Sequence, residues 1–290
     1  MLLFAAGLLA AAISAPEPKV LFSITEGSES NELAMEPVAM VTKVPGPCAG
    51  CWKVSFEEPA RGDQPDDAKE FAEQYYVRGR TYRVLVGGAE FGTARVTKET
   101  SLGCVSLAAS VDVVPSLPRR NNYYRHGLAV GSLHIAARKL VRREPTAAEE
   151  NALWNLAERL LRRRGVPASL FADMEGGGFL SADLDGDGKR DLIGSFQAHN
   201  SKTGAEYHLF LIAMGDGTGY RPDYVLYDPP HSSENAIESV TLVDTIDLDE
   251  DGIDEVVLSR DYYESHAFEI VKRGPDGKWK RVYRGGGSGC

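Results

Sequence analysis

An acidic nine-residue loop occurs twice in this chain, at residues 183–191 and 247–255. Both copies have carboxylates at positions 1, 3, 5 and 9 and a glycine at position 6, and they begin 64 residues apart. So many negative charges in one short loop repel one another unless a cation neutralises them, and Ca²⁺ prefers a shell of six to eight oxygen atoms. The spacing therefore predicts two Ca²⁺ sites, in which the residue at position 7 contributes only its backbone carbonyl. The predicted ligands are Asp183, Asp185, Asp187, Lys189 and Asp191 in the first loop, and Asp247, Asp249, Asp251, Ile253 and Glu255 in the second.

The residues after each loop distinguish this pattern from an EF-hand. An EF-hand has a bidentate glutamate at position 12, where this chain has Gly194 and Leu258. The apolar runs at 192–193 and 256–258 instead predict that each loop leads into a β-strand. A plain acidic turn is the alternative for either copy alone, since Asp-Gly pairs are common in turns. Two copies in the same frame favour Ca²⁺, and Mg²⁺ fits less well because it retains several waters.

The similarity between the two segments continues after the loops. The first loop is followed by strand-like runs at 207–214 and 220–227, and the second by runs at 267–273 and 279–283. In both segments an Asp-Gly turn separates the two runs, and an aromatic residue follows the turn. A unit of about 60 residues with four short antiparallel strands is typical of a propeller blade.

These two segments resemble FG-GAP/VCBS-type repeats, the calcium-loop blades of integrin-α-like β-propellers. The resemblance covers about residues 175–285 and rests on the loop pattern Asp-x-Asp-x-Asp-Gly-x-x-Asp/Glu. It implies that Ca²⁺ braces each blade internally, through the carboxylates named above. Two blades cannot close a ring, and their exposed strand edges need a cover. Either the first half of the chain supplies that cover, or the two blades form an open module.

The N-terminal segment resembles an export signal in composition. Residues 1–15 are apolar and rich in small side chains, and they end before a Pro-Glu pair. This pattern predicts a signal peptide cut after Ser14 or Ala15, which is too short for a transmembrane helix; a buried N-terminal helix is the alternative. We therefore expect a secreted, periplasmic or cell-surface protein with no transmembrane segment in the mature chain. Extracellular calcium would fill weak sites of this kind.

The four cysteines are Cys48, Cys51, Cys104 and Cys290. An even number in an exported chain favours structural disulfides, with three possible pairings. The Cys-x-x-Cys spacing of the first two also suits redox or zinc chemistry, but neither a thioredoxin-like pattern nor a second Cys-x-x-Cys accompanies it. The last cysteine follows a glycine-rich segment, Gly285–Gly289, which we expect to be a flexible tail.

The chain as a whole is predicted to be mainly β. Short apolar and β-branched runs predict a small β-barrel or sandwich over residues 20–118. Residues 119–170 are predicted to be a basic linker that contains one amphipathic helix, 146–164, with a capping box at its start. We expect this helix to dock between the two halves and to cap the first repeat. Residues 171–290 are predicted to form the two-blade, propeller-like antiparallel module.

No catalytic motif accompanies these features. The sequence lacks a nucleophile elbow, a His-Glu-x-x-His pair and a phosphate loop, and its six histidines are scattered. Residues 119–164 carry 11 Lys/Arg and 4 Asp/Glu, which a solvated helix face explains better than nucleic acid does; contact with an anionic envelope surface stays open. We predict a secreted, calcium-stabilised, non-catalytic binding or surface module with an unknown protein or glycan ligand. The alternatives are a secreted hydrolase acting on polysaccharide, which the repeats only brace, and a purely structural module.

Overall fold

The computed structural model describes residues 19–26, 32–46, 52–60, 65–100, 107–118, 125–136, 142–230 and 237–289. The predicted signal peptide and all four cysteines lie outside these ranges, so those predictions stand as made. Strands make up 57% of the chain and helices 14%, which confirms that the protein is mainly β.

The first half of the chain folds into a closed antiparallel barrel of six strands. The strands of this half are β1 (Lys19–Glu26), β2 (Leu33–Pro45), β3 (Trp52–Glu57), β4 (Thr81–Val86), β5 (Ala89–Thr100), β6 (Ala108–Val114) and β7 (His126–Val130). Neighbours follow the order β1, β7, β4, β5, β6 and β2, the pairing of β2 with β1 closes the barrel, and β3 extends the sheet beyond β2. The predicted small barrel is therefore present, and it continues past residue 118 because β7 pairs with both β1 and β4.

Alternation along β1 separates the inside of the barrel from its outside. Phe22 lies in the interior cluster and Leu21 in an outer one, and both are completely buried. Helix α1 (Pro65–Tyr75) packs against the interior cluster. The ring centroids of Phe71 and Tyr76 lie 6.3 and 6.0 Å from that of Phe22, within the range of favourable aromatic pairs. The interior is thus packed with side chains.

The second half forms two four-stranded antiparallel sheets, with the strands of each paired in chain order. The first sheet contains β8 (Glu175–Ala182), β9 (Asp191–Asn200), β10 (Ala205–Gly215) and β11 (Tyr220–Asp228). The second contains β12 (Ile237–Ile246), β13 (Glu255–Tyr262), β14 (Ser265–Arg273) and β15 (Trp279–Gly289). Both predicted repeat segments thus form the same meander, and each acidic loop joins the first strand of its sheet to the second.

Helix α2 (Ala147–Arg163) covers the outer face of the first sheet. Its capping box is present: the Glu149 N–H donates to Thr146 Oγ1 (3.3 Å) and the Thr146 N–H donates to Glu149 Oε2 (2.7 Å). Leu153 and Leu161, which are completely buried, belong to one cluster with Phe196 of the sheet. The helix caps the first sheet as predicted. The prediction that it lies between the two halves is wrong, because the second sheet takes that position.

The second sheet is the middle layer of the molecule. One of its faces packs on the outside of the barrel, where Phe268 and Leu21 share a buried cluster. Its other face packs on the first sheet, where Leu258 and Phe210 share another. The first half of the chain therefore covers one side of the paired sheets, and α2 covers the other.

The two sheets are stacked in the same sense. Leu192 and Val256 are equivalent, since each directly follows the ninth residue of its loop, and Ile193 and Val257 come next. Leu192 faces α2, whereas its equivalent Val256 faces the first sheet. Ile193 faces the second sheet, whereas its equivalent Val257 faces the barrel. Equivalent faces therefore point in the same direction along the stack.

The basic residues at the end of α2 contact the protein's own surface. The Arg162 guanidinium lies 4.6 Å from the ring centroid of Phe171, and that of Arg164 lies 4.9 Å from the ring centroid of Tyr227. Such cation–π contacts give these arginines a local role. Within the residues described above, no helix has the length and apolar character needed to span a bilayer.

The C-terminal glycines are part of a strand. Gly285 to Gly289 belong to β15, so the prediction of a flexible tail is wrong for these residues. Gly286 has φ +62°, and a Cβ atom there would lie 2.5 Å from the carbonyl oxygen of Pro37 in β2. Glycine is needed at this position because the strand runs so close to the barrel backbone.

Candidate metal centre

Each acidic loop is held at a fixed place by one leucine and one glycine. Leu184 and Leu248, at position 2 of the loops, have no exposed surface and belong to the clusters between the layers. Gly188 and Gly252, at position 6, have φ of +83° and +90°. Glycine adopts this left-handed conformation without a Cβ clash.

The two loops share one pattern of internal hydrogen bonds. The carboxylate at position 1 accepts a hydrogen bond from the N–H of position 6. The carboxylate at position 5 accepts one from the N–H of position 7, and the carboxylate at position 9 accepts one from the N–H of position 2. In the first loop these bonds join Asp183 to Gly188 (3.0 Å), Asp187 to Lys189 (2.8 Å) and Asp191 to Leu184 (2.9 Å). In the second they join Asp247 to Gly252 (3.0 Å), Asp251 to Ile253 (2.9 Å) and Glu255 to Leu248 (2.7 Å). The sequence repeat is therefore also a repeat of loop geometry.

Three carboxylates converge in each loop. Asp183, Asp185 and Asp187 each offer an oxygen within 4.8 Å of the others, and so do Asp247, Asp249 and Glu255. One oxygen in each group, Oδ1 of Asp183 and Oδ1 of Asp249, is buried without a hydrogen bond. Burying an unpaired anionic oxygen is unfavourable, and a cation at the cluster would remove that cost. The donors are all oxygen atoms, so both groups fit a hard metal ion.

The remaining predicted ligands lie outside these two groups. Both oxygens of Asp191 accept backbone N–H groups, from Leu184 and Gly215, each at 2.9 Å, and burial raises the pKa of Asp191 to about 6. The Lys189 side chain pairs with Asp187 at 2.9 Å. That the carbonyls of Lys189 and Ile253 act as ligands stays a prediction, as does a ligand role for Asp251.

Position 9 differs between the loops by one methylene group. Asp191 uses both oxygens on backbone N–H groups, whereas Glu255 uses only Oε2 in this way, on Leu248. The longer side chain leaves Oε1 of Glu255 directed into the carboxylate cluster. The ninth residue therefore anchors the first loop, but it both anchors the second loop and joins its cluster.

The second cluster already holds a cation of the protein's own. The Lys272 ammonium, on β14, lies 2.6 Å from Asp249 Oδ2, 2.7 Å from Glu255 Oε1 and 3.1 Å from Asp251 Oδ2. Burial alone would lower the pKa of Lys272, but the Glu255 and Asp249 carboxylates raise it. Burial also raises the pKa of Glu255, and the ammonium acts against this rise.

The cations around the first cluster are arranged differently. Lys189 contacts Asp187, and the Arg273 guanidinium contacts Asp185 at 2.5 Å. Within the described parts of the chain, each of these cations touches a single carboxylate of the cluster, and none bridges two. The first cluster therefore lacks a central cation of the kind that the second has.

The loops lie beside each other, and the second one also contacts the barrel. The Asp254 N–H, in the second loop, donates to the Leu184 carbonyl of the first at 2.8 Å. The side chain of Glu250 accepts from the Lys43 ammonium of β2 at 2.7 Å. The second loop is therefore part of the joint between the barrel and the stacked sheets.

A separate cavity of about 280 Å³ lies toward the other ends of the same strands. Its lining comes from the first halves of β8 and β12 and the second half of β9, whereas the acidic loops follow the C-terminal ends of β8 and β12. The lining residues are His126, Glu175–Phe179, Ser195–Gln197, His208 and Ser239–Leu242. The cavity thus opens where the two sheets and barrel strand β7 meet.

His208 is the buried polar group of this cavity. The residue is 4% exposed, and its Nε2 atom makes no hydrogen bond. The nearest carboxylate, Glu206 Oε2, lies 3.6 Å away, which is beyond hydrogen-bonding distance. Burial lowers the pKa of His208, which favours the neutral imidazole. The scattered histidines offered no motif, so the sequence did not single out this residue.

Comparison of the chain with protein-family models, with curated proteins and with solved structures finds no match.

Proposed function

We propose that this protein is an exported, calcium-stabilised, non-catalytic binding or surface module. The observation that supports it best is the pair of loops with equivalent internal hydrogen bonds, three converging carboxylates and one buried, unpaired oxygen each. Asp183, Asp185 and Asp187 would hold one ion, and Asp247, Asp249 and Glu255 the other. Bound Ca²⁺ would supply the positive charge that these clusters need and would brace each sheet where its first two strands join.

Calcium suits these loops better than other hard cations. Ca²⁺ takes several carboxylates in an irregular shell, whereas Mg²⁺ demands a near-ideal octahedron and keeps most of its waters. Soft metals prefer sulfur and imidazole ligands, and in the described residues neither cluster includes a histidine or cysteine. An exported protein would meet calcium concentrations that fill weak sites, with Kd on the order of 10⁻⁴ to 10⁻³ M.

The proposed function includes the relationship to FG-GAP/VCBS-type repeats. Two features support it: both sheets are four-strand meanders entered through an acidic loop, and the sheets are stacked in the same sense, as successive repeats are. In place of further blades, this chain has the barrel on one side and α2 on the other. This arrangement supplies the cover that two blades alone would lack.

The cavity supports binding over hydrolysis. Among the described residues its lining includes one carboxylate, Glu175, whereas most glycoside hydrolases use two carboxyl groups on either side of the bond. Its volume of about 280 Å³ is near the lower end for small-molecule sites. A single hydroxylated ring, such as one sugar unit of a glycan, suits it: the ring would pack on Phe179 and Phe196, and a hydroxyl group would pair with Nε2 of His208.

Calcium removal tests the metal part of this proposal. With EDTA we expect the melting temperature to fall by roughly 3 to 8 °C and to recover when 10 mM Ca²⁺ is restored, because an ion that binds only the folded state stabilises it by about 2–3 kcal/mol at 100 times its Kd. Differential scanning fluorimetry in both conditions measures this. A melting temperature that changes neither with EDTA nor with added Ca²⁺ would contradict the proposed calcium sites.

Matched variants locate the effect. Asp183→Asn should weaken the response to calcium because Asp183 belongs to the first cluster. Asp276→Asn is the control, since Asp276 also lies in an Asp-Gly turn of a sheet but belongs to neither cluster. The control should respond to calcium as the unaltered protein does.

A further inference from the structure

We infer that Lys272 is the built-in cation of the second loop, so that calcium at ordinary extracellular concentrations fills the first loop only. This inference rests on the proposed calcium function, and it limits that function to one ion per chain. Its basis is the position of the ammonium group. The three N–H bonds of a lysine ammonium are matched by three carboxylate oxygens, from Asp249, Asp251 and Glu255, all within 3.1 Å.

The first repeat shows what the same position contains without the lysine. Leu192 pairs with Ala213 across β9 and β10, and its equivalent Val256 pairs with Val271 across β13 and β14. The residue after Ala213 is Met214, and the residue after Val271 is Lys272. Met214 is therefore the counterpart of Lys272. Its thioether carries no charge and is a poor ligand for a hard cation. The carboxylates of the first cluster therefore have only the single contacts from Lys189 and Arg273 among the described residues, and no ammonium bridges them.

A second difference between the repeats accompanies the first. The longer acid at position 9, Glu255, directs Oε1 to the Lys272 ammonium at 2.7 Å, whereas both oxygens of Asp191 stay on backbone N–H groups. Lysine and the longer acid thus occur together in the second repeat, and methionine and the shorter acid in the first. The pairing of these differences indicates that the second loop is built around the ammonium.

Occupation by the lysine excludes a second cation from the same place. The ammonium lies within 2.7 Å of Asp249 and Glu255, two of the three carboxylates that would hold the metal ion, and two cations this close repel each other strongly. Lys272 would have to swing out on its long side chain before a metal ion could bind. We therefore expect the second loop to bind calcium at least ten times more weakly than the first.

The difference in calcium affinity between the two loops affects how the layers are joined, because the second loop contacts the barrel. That loop contacts the barrel through Glu250 and Lys43, so a resident ammonium keeps this joint intact when calcium is withdrawn. In the described parts of the chain, the three cluster carboxylates of the first loop make no contact with the barrel. Their partners there are Gly188, Lys189, Arg273 and the loop backbone. Loss of calcium should therefore loosen the first sheet and leave the barrel and the second sheet joined.

Calcium stoichiometry tests the inference directly. Isothermal titration of the full chain with CaCl₂ should show one site, which is lost in Asp183→Asn and kept with unchanged affinity in Asp247→Asn. Lys272→Met, which gives the second loop the side chain of the first, should show two sites. Met214→Lys should lose the first site, at least tenfold in affinity, and should no longer respond to EDTA. Circular dichroism checks that each variant is folded.

The outcomes separate this inference from the proposed function. Two sites of equal affinity in the unaltered protein, with one lost in each aspartate variant, would overturn the role of Lys272 and leave the calcium function standing. No calcium binding in either the unaltered protein or Lys272→Met would overturn the calcium function itself. If Lys272→Met does not fold, the comparison of Asp183→Asn with Asp247→Asn still decides between one site and two.

Discussion

His208 has an environment that does not favour stability. Its imidazole is buried and the Nε2 atom makes no hydrogen bond, and such an atom costs about 1–3 kcal/mol relative to one that is paired. An aromatic ring of similar shape would avoid that cost. A polar group that destabilises the fold but lines a cavity is a reasonable ligand contact, because stability and binding often place opposite demands on one residue.

His208→Phe should leave the free energy of unfolding unchanged or raise it by up to about 1 kcal/mol, because the unpaired polar group is removed while the volume is kept. Phe196→Ala, at the wall of the same cavity, should lower it by about 3–4 kcal/mol because it leaves a void in the cluster beneath α2. Urea denaturation measures both. A loss of more than 1 kcal/mol in His208→Phe would show that the imidazole has a structural partner.

At the scale of single elements, Glu149 connects three parts of the structure. Its carboxylate accepts from the Arg143 guanidinium at 2.6 and 2.8 Å, caps α2 through the Thr146 N–H, and accepts from the Tyr220 hydroxyl of the first sheet at 3.3 Å. The hydrogen bonds from Arg143, together with those at the helix start, hold the pKa of Glu149 well below its usual value of 4.5, at about 2. The capping residue thus also fastens the helix to the sheet that it covers.

This arrangement predicts a pH-dependent effect of Glu149→Gln. A carboxyl group with a lowered pKa stabilises the folded state fully above its unfolded pKa, and the stabilisation is lost as pH falls through the folded value. The variant should therefore be less stable by about 2 kcal/mol at pH 7, and the difference should shrink between about pH 4.5 and pH 2. Glu158→Gln, which removes an exposed helix pair with Arg162, should change little at any pH. Thermal melts across this pH range provide the comparison.

Local sequence patterns predicted the elements well where one residue pattern decides the structure. The helix starts at its predicted cap, and both acidic loops lead into strands. The prediction of a flexible C-terminal tail was wrong because contacts with backbone distant in the sequence determine the structure of that segment. The glycines from Gly285 onward have no side chains that favour a strand. They nevertheless form the end of β15 because they pair with β14 and run close to the backbone of β2.

At the scale of the whole molecule, the order of the layers was not predictable from the sequence. Val256 and Val257 are consecutive apolar residues that point to opposite faces of β13, so the sequence indicates that both faces are buried. It does not indicate which neighbouring layer covers each face. Likewise, a lysine in β14 gives no local sign that it reaches a loop between β12 and β13. The acidic loops themselves were recognisable because their ligands are close together in the chain.

Asp244 is one of the groups that hold the layers together. It is completely buried in β12, accepts from the Gly87 N–H in the β4–β5 turn of the barrel at 3.0 Å, and pairs with Arg142. The turn of the barrel and the middle sheet thus meet at a buried charge.

Asp244→Asn should therefore lower the free energy of unfolding by about 3 kcal/mol, because it leaves the buried Arg142 guanidinium without its counter-charge. Unfolding should remain a single transition, since the middle sheet shares its clusters with both neighbours. Tryptophan fluorescence during urea denaturation follows this. Asp112→Asn, at an exposed pair with Arg95, is the control and should have almost no effect. A variant as stable as the control would mean that the joint depends on apolar contacts alone.

The same-sense stacking of the two sheets has a consequence for how this architecture can grow. Because α2 covers one outer face and the barrel covers the other, the described strands leave no sheet face of the stack uncovered for an extra meander appended to the C-terminus. A longer stack would require a third meander between the existing two sheets. Each face of this inserted sheet would then pack on another sheet, as the facing sides of the present two sheets do. A gene encoding a longer relative should therefore carry its duplication internally, between β11 and β12.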